Sequence, residues 1–220
     1  MSQKSLVTVL EEKDVSTETM DRFGVCYYKA GDIYGVANPA WTHKLATWGP
    51  GERLVYPLHD LHGLFKGLAF RGQSVKFFYD SSERIQPAEL LYGLYETKDC
   101  IAQQEYAIVV EGIFDFLKLY DMGIRNVVTT LGTYLSWDQM CLLRRFCRTA
   151  VICYDPDEAG REAAEKAAAT LKQGGILPVI VDLEDGLDPD EYVVKHGAQK
   201  FREKCFLSLN ATDSKQSIEP

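Results

Sequence analysis

The stretch T-A-V-I-C-Y-D-P-D-E-A-G, residues 149–160, decides how the rest of the chain is read. Its apolar run Val151-Ile152-Cys153 is of buried-strand type and stops at Asp155-Pro156-Asp157-Glu158; the alanine-rich E-A-G-R-E-A-A-E-K-A-A-A after it reads as a helix. Two carboxylates therefore stand at a strand-to-helix turn. A plain explanation exists: Asp155 suits an N-cap, Pro156 a first helical position, and Glu158 completes a capping box. The tetrapeptide recurs, however, as Asp188-Pro189-Asp190-Glu191 after another apolar run, and Glu111 closes the strand-like Ala107-Ile108-Val109-Val110. Acids at three strand ends of one βα array need a common explanation.

From Tyr106 on, strand and helix patterns alternate. Strands are predicted over 106–110, 126–130, 149–153 and 177–182, and helices over 113–122, 136–146 and 157–173, with short helices from 190. Such alternation implies an α/β fold, a mostly parallel sheet with helices on both faces. Ligands in that architecture bind beyond the carboxyl ends of the strands, where Glu111, Asp155, Asp157, Asp188 and Asp190 all fall. Asp115, four residues after Glu111, shares its helix face.

Upstream the pattern differs. A short capped helix is expected from Ser16 or Thr17 to Phe23, with Gly24 as its stop. A turn-rich section comes next, then a small antiparallel sheet from 53–58, 64–71 and 75–79. Leu90, Leu91, Leu94 and Tyr95 lie on one face of a predicted helix of about three turns. The expected organisation is a tail over 1–14, an α+β subdomain over 15–104, an α/β domain over 105–206 and a second flexible tail over 207–220.

Composition sets limits. With 46% hydrophobic and 25% charged residues the 220-residue chain has a globular profile, and no apolar run approaches the roughly 18 residues of a membrane span. The N-terminus is a poor secretory signal, so the cytoplasm is the expected compartment. The six cysteines (26, 100, 141, 147, 153, 205) contain no C-x-x-C pair and suit reduced core thiols rather than zinc ligands. His59 and His62 flank Asp60 in a turn and are not read as ligands. The formal charge, 24 − 32 = −8, argues against a protein that coats DNA through cations. It is compatible with an enzyme that gathers acids around divalent cations. Six carboxylates in one crevice need a counter-charge. Mg²⁺ prefers one or two carboxylates plus waters and phosphates, which matches acids on separate loops. A pair of such ions suits phosphoryl or nucleotidyl transfer.

The ordered motifs Glu111-Gly112-Ile113-Phe114-Asp115, Leu131-Gly132-Thr133, Asp155-x-Asp157-x-Ala159-Gly160 and Gly186-Leu187-Asp188-Pro189-Asp190 resemble those of a TOPRIM domain, in the form used by bacterial-type DNA primases. The upstream half resembles the same family's basic subdomain through Ser16-x-Glu18-Thr19-x-x-x-Phe23-Gly24, Arg53-x-x-x-Pro57-x-x-Asp60-x-x-Gly63, Phe70-Arg71, Lys76-Phe77 and Leu91-Tyr92-Gly93-Leu94. The likeness spans residues 15–205. It implies a core that joins ribonucleotides into RNA primers on single-stranded DNA with Mg²⁺ or Mn²⁺, two ions being expected. By position, Glu111, Asp115, Asp155 and Asp157 would be catalytic, with Glu111, Asp155, Asp157, Asp188 and Asp190 as metal ligands. Arg53, Arg71 and Lys76 would meet triphosphate or template phosphates; the alternative for these three is a solvated sheet face.

The departures are specific. Pro156 stands inside the family's D-G-D turn, and Pro87-Ala88 replaces a lysine. The N-terminal zinc ribbon, the G-x-x-x-x-G-K-[ST] helicase loop and the helical and helicase-docking domains are not seen. The expected partners are therefore single-stranded DNA, ribonucleoside triphosphates, and a replicative helicase or a separate zinc-ribbon protein for template choice, with no membrane. Were the chain phage-encoded, its compartment would be the host cytoplasm. Two other readings stay open: a small TOPRIM nuclease acting on DNA or RNA, and a non-catalytic replication adaptor that binds nucleic acid.

Overall fold

The computed structural model describes residues 12–29, 32–34, 51–72, 78–80 and 87–216. The chain divides into two units, Met1–Ile85 and Gln86–Pro220. That division falls before the sequence-based boundary at 104/105, because residues 86–104 pack against the second sheet. Tyr92 bridges Thr129 through paired backbone bonds of 3.1 and 3.2 Å, and helix α2 (Leu94–Gln104) lies against the strands β6 (Tyr106–Val110) and β7 (Val127–Thr129). The predicted helix over Leu90–Tyr95 begins only at Leu94, since Gly93 takes φ +83° and breaks the helical path. A Cβ there would also sit 2.2 Å from the Phe116 ring.

In the first unit, helix α1 (Thr17–Arg22) is capped by Ser16, whose hydroxyl accepts from Thr19 N. A five-stranded antiparallel sheet comes next, in the order β2-β1-β3-β4-β5. Its strands are β1 (Cys26–Lys29), β2 (Asp32–Tyr34), β3 (Glu52–His59), β4 (Phe65–Gly72) and β5 (Phe78–Asp80). The first two lie where the sequence reads only turns, since C-Y-Y-K offers no apolar-polar alternation. Central strand β3 is buried on both faces: Leu54, Val55 and Tyr56 are each 0% exposed. Asp60 organises the β3–β4 turn by accepting from His62 N and Leu64 N.

The second unit holds a four-stranded parallel sheet, order β7-β6-β8-β9, with β8 at Thr149–Ile152 and β9 at Leu177–Ile180. Helices α3 (Ile113–Asp121), α4 (Trp137–Leu143) and α5 (Glu158–Gln173) connect the strands. Val109, Val110, Val151 and Ile152 are fully buried, as parallel strands covered by helices require. α5 presents Gly160, Ala163, Ala164, Ala167 and Leu171 inward at helical spacing. Edge strand β9 contains Pro178. Leu177 and Val181 donate their N–H groups to β8, at Arg148 O and Ile152 O. Alternation then turns the amide positions of Pro178 and Ile180 outward, so the proline removes no ladder bond.

Helix α6 runs from Pro189 to Gln216, broken at Gly197 (φ +83°). Residues 207–216, expected as part of a flexible tail, are thus helical. Phe201 and Cys205, both 0% exposed, anchor the preceding turns and the helix propagates from them, a cause that leaves no periodicity in the tail itself. Among the described residues no helix is long and apolar enough to cross a membrane.

Candidate metal centre

All strands of the second sheet run the same way, so their carboxyl ends share one edge, and the acids gather there. After β6, the Glu111-Gly112 turn starts α3. Asp115 lies in the first turn of that helix and is 7% exposed. Its Oδ2 accepts from Gly112 N at 3.1 Å, and its Oδ1 accepts from Asp190 N at 3.3 Å, 75 residues away in sequence. This one carboxylate therefore joins the β6 turn to the start of α6. Gly112 is required by the closeness of the first bond, because a Cβ there would lie 2.5 Å from Asp115 Oδ2.

Asp188 caps α6, its Oδ1 accepting from Glu191 N at 2.8 Å. Carboxylate oxygens of Asp115, Asp188 and Asp190 all lie within 4.8 Å of one another. Burial, and then the charges of Asp190, Asp188 and Asp155, push the Asp115 carboxyl well above its usual range; the N–H donated by Asp190 opposes this only in part. Like charges held this close, with Asp115 and Asp190 buried and Asp188 half-buried, are unfavourable without a cation. Oxygen-only donors of this kind suit a hard dication, Mg²⁺ or Mn²⁺. The residues present thus fit a divalent ion.

The other expected site residues are placed differently. Asp155 is half-buried in the turn after β8 and acts on Asp115 through its charge. Its carbonyl oxygen would be 2.2 Å from a Cβ at position 160, which explains the glycine three residues beyond the second acid. Asp157 is exposed and caps α5, accepting from Gly160 N at 2.7 Å. The plain reading of the first D-P-D-E gave that cap to Asp155. The two identical tetrapeptides are in fact used in different registers: the first starts its helix after the second aspartate, the second after the first. Glu111 is half-buried outside the close triad; its carbonyl accepts from Thr129 Oγ1 at 2.8 Å, and its charge helps burial raise the Tyr154 hydroxyl.

In the first unit Arg53 pairs in register with Gly72, and Arg71 with Leu54. Cross-strand partners share a face, so the two arginines leave the sheet on opposite sides. Arg53 lies 5.7 Å over the Tyr28 ring, on the face that carries the core cluster of Cys26, Tyr28, Val55, Leu68 and Phe70. Lys76 lies outside the described residues. Thr129 was not singled out by sequence. Besides bonding Glu111, its Oγ1 accepts from Leu131 N at 3.0 Å and holds Leu131 at φ +57°. A Thr-Thr pair ahead of Leu131-Gly132-Thr133 was its only signal.

The Toprim-like family matches residues 108–193, the stretch that carries the triad. This part of the chain is a Toprim domain. Around it, the chain is similar to the DNA primase of Aquifex aeolicus, 39% identical over 156 residues, which is 69% of this chain and 31% of that protein. It is also similar to the DNA primase of Halalkalibacterium halodurans, 35% identical over 69% of this chain and 26% of that one. The chain spans less than a third of the length of these relatives. Among solved structures, the zinc-binding and RNA polymerase domains of the Aquifex aeolicus primase align at a TM-score of 0.76 with 29% identity, covering 90% of this chain and 54% of that one. The E. coli primase catalytic core aligns at 0.72 with 27% identity, covering 92% and 72%. A primase catalytic domain bound to single-stranded DNA gives 0.71 with 27% identity, covering 93% and 74%. The primase likeness thus extends beyond the Toprim domain into the first unit.

Proposed function

We propose that this chain is the nucleotidyl-transfer core of a DNA primase, joining ribonucleotides on single-stranded DNA. The observation that carries the reading is the convergence of Asp115, Asp188 and Asp190 on a Toprim sheet whose relatives are primases. These three residues would hold a divalent ion, with Asp155 adding negative charge from the β8 turn. A bound Mg²⁺ or Mn²⁺ supplies Lewis acidity and offsets phosphate charge in phosphodiester formation. The reaction joins a 3′-hydroxyl oxygen to the α-phosphorus of a ribonucleoside triphosphate and releases pyrophosphate. Glu111, half-buried outside the close triad at the same sheet edge, would accept the hydroxyl proton. Asp115 fixes the relative positions of the two loops through its two accepted backbone bonds. Arg53 and Arg71, on opposite sheet faces, would serve different phosphates rather than clamp one.

The test is incorporation of radiolabelled ribonucleotides on single-stranded DNA with Mg²⁺ or Mn²⁺, by the chain alone and with a replicative helicase or zinc-ribbon protein added. D115N abolishes product if the reading holds. Failure of both arrangements to make product, with metal-dependent nicking of DNA or RNA in their place, would transfer the site to nuclease chemistry.

A further inference from the structure

The loop between β7 and α4 is built unlike an ordinary surface turn. Its aliphatic residues are packed away: Leu131 is 8% exposed and Leu135 1%, and Met140 in the following helix is 0% exposed. Its two large aromatics are not. Tyr134 is 67% exposed and Trp137 51% exposed, so the large hydrophobic side chains this segment turns to solvent are both aromatic. The frame beneath them is fixed at both ends. Thr129 Oγ1 donates to Glu111 O at 2.8 Å and accepts from Leu131 N at 3.0 Å, and the Thr130 hydroxyl donates to Gly132 O. On the far side Ser136 and Gln139 form a reciprocal capping box, the Ser136 hydroxyl donates to Ala88 O, and Gln139 Nε2 donates to Leu90 O at 2.7 Å. The crown of the loop is open, for a Cβ on Gly132 would meet nothing within 4 Å.

We infer that Tyr134 and Trp137 form a stacking platform for unpaired bases of the single-stranded nucleic acid that the Glu111 edge works on. The inference rests on the primase reading above and adds to it a place where the template or growing strand is held. Several observations select this occupant. Two exposed aromatic rings in a segment whose leucines, Leu131 and Leu135, are buried match a nucleobase, whereas a protein-docking core would mix aromatic with aliphatic side chains. Exposed Asp138, next to Trp137, disfavours a phosphate at the same spot, so the contact is made through bases. The hydroxyl relay through Thr129 ties the loop to the backbone of Glu111, which sets the platform's register against that acid.

Stacking on a ring contributes little to counter-ion release, so its loss weakens binding without changing the salt slope. The test uses fluorescein-labelled oligothymidylate and anisotropy across a salt series, with wild type, Y134A, W137A, the double alanine variant, and Y134F and W137F. The expected result is about tenfold weaker binding per ring removed, an unchanged salt slope and near-normal affinity in the phenylalanine variants. Thermal melting should be unchanged, since both rings are exposed. In a W41F/W48F background, where Trp137 is the remaining tryptophan, the oligonucleotide should quench the emission. Wild-type affinity in the double alanine variant would overturn the platform, leave the primase reading standing and assign the rings to a protein contact. A wild-type chain that binds no single-stranded oligonucleotide would overturn both.

Discussion

Replacing Asp115 with asparagine separates the electrostatics of the acid pocket from its packing, because the two side chains have nearly the same shape. Coulomb's law with an effective dielectric constant of about 20 gives roughly 3.5 kcal/mol between unit charges at the 4.8 Å limit found here. Asparagine removes that repulsion and keeps one of the two accepted backbone bonds. Losing the other costs about 1.5–3 kcal/mol, as is typical when one partner is charged. Without metal at pH 8, D115N should therefore be the more stable protein by about 1 kcal/mol, a midpoint rise of roughly 2–4 °C for a chain of this size. The sign comes from proton linkage. The folded state raises the Asp115 pKa, so it binds the proton more tightly than the unfolded chain. The wild type has that stability in full below the unfolded value near pH 4, and loses it as pH climbs through the raised folded value. D115N should lose this slope. With Mg²⁺ at about a hundred times its dissociation constant the order inverts: wild type gains roughly 2.7 kcal/mol and the variant gains far less. Scanning calorimetry from pH 4 to 8, with EDTA or MgCl₂, measures both. A D115N protein less stable than wild type at pH 8 in EDTA, or one keeping the full Mg²⁺ gain, would refute the argument.

Asp157 acts as a helix cap, so D157A should cost about 1 kcal/mol by denaturant melting while D157N costs little, and the Mg²⁺ shift should survive both. Loss of that shift in D157N would make Asp157 a ligand. G160A forces a Cβ against the Asp155 carbonyl, so it should cost more than about 2 kcal/mol and cut ribonucleotide incorporation, both read on one preparation; a near-neutral G160A would count against the packed turn. Burial pushes the thiols of Cys26 and Cys205 up to about 12, Cys147 to about 11, and Cys153 well above its ordinary value. Ellman's reagent at pH 8 should accordingly label exposed Cys141 first, half-buried Cys100 more slowly, and the other four only on unfolding. Rapid labelling of Cys153 in the native protein would contradict its position.

The α/β half was legible because its signals are local: apolar runs of four or five residues, alanine at helical spacing, and acids at the boundaries. The small first sheet was legible where β3 and β4 carry apolar runs bounded by turns, and not at Cys26–Lys29 or Asp32–Tyr34, where strand formation is a matter of pairing partners rather than pattern. The same division runs through the site. Sequence places Glu111, Asp115, Asp155, Asp157, Asp188 and Asp190 at one sheet edge, but an aspartate at a strand-to-helix turn satisfies helix amides and metals equally well on paper. Only the tertiary bond between Asp115 and the Asp190 amide shows which acids meet. Arg53 and Arg71 illustrate the converse. Both belong to a recognisable motif, yet the pairing of Arg71 with Leu54 sends them to different faces, a consequence of register that spacing along one strand cannot reveal.

Pro178 has a quieter importance. A parallel sheet that ends in an open strand invites a neighbouring molecule to continue it. With an imide nitrogen at one of β9's two outward positions, the Ile180 amide is the one outward N–H donor left in this strand to recruit such a guest. On its outward side this last strand thus offers a guest one donor where an ordinary residue at position 178 would have given two.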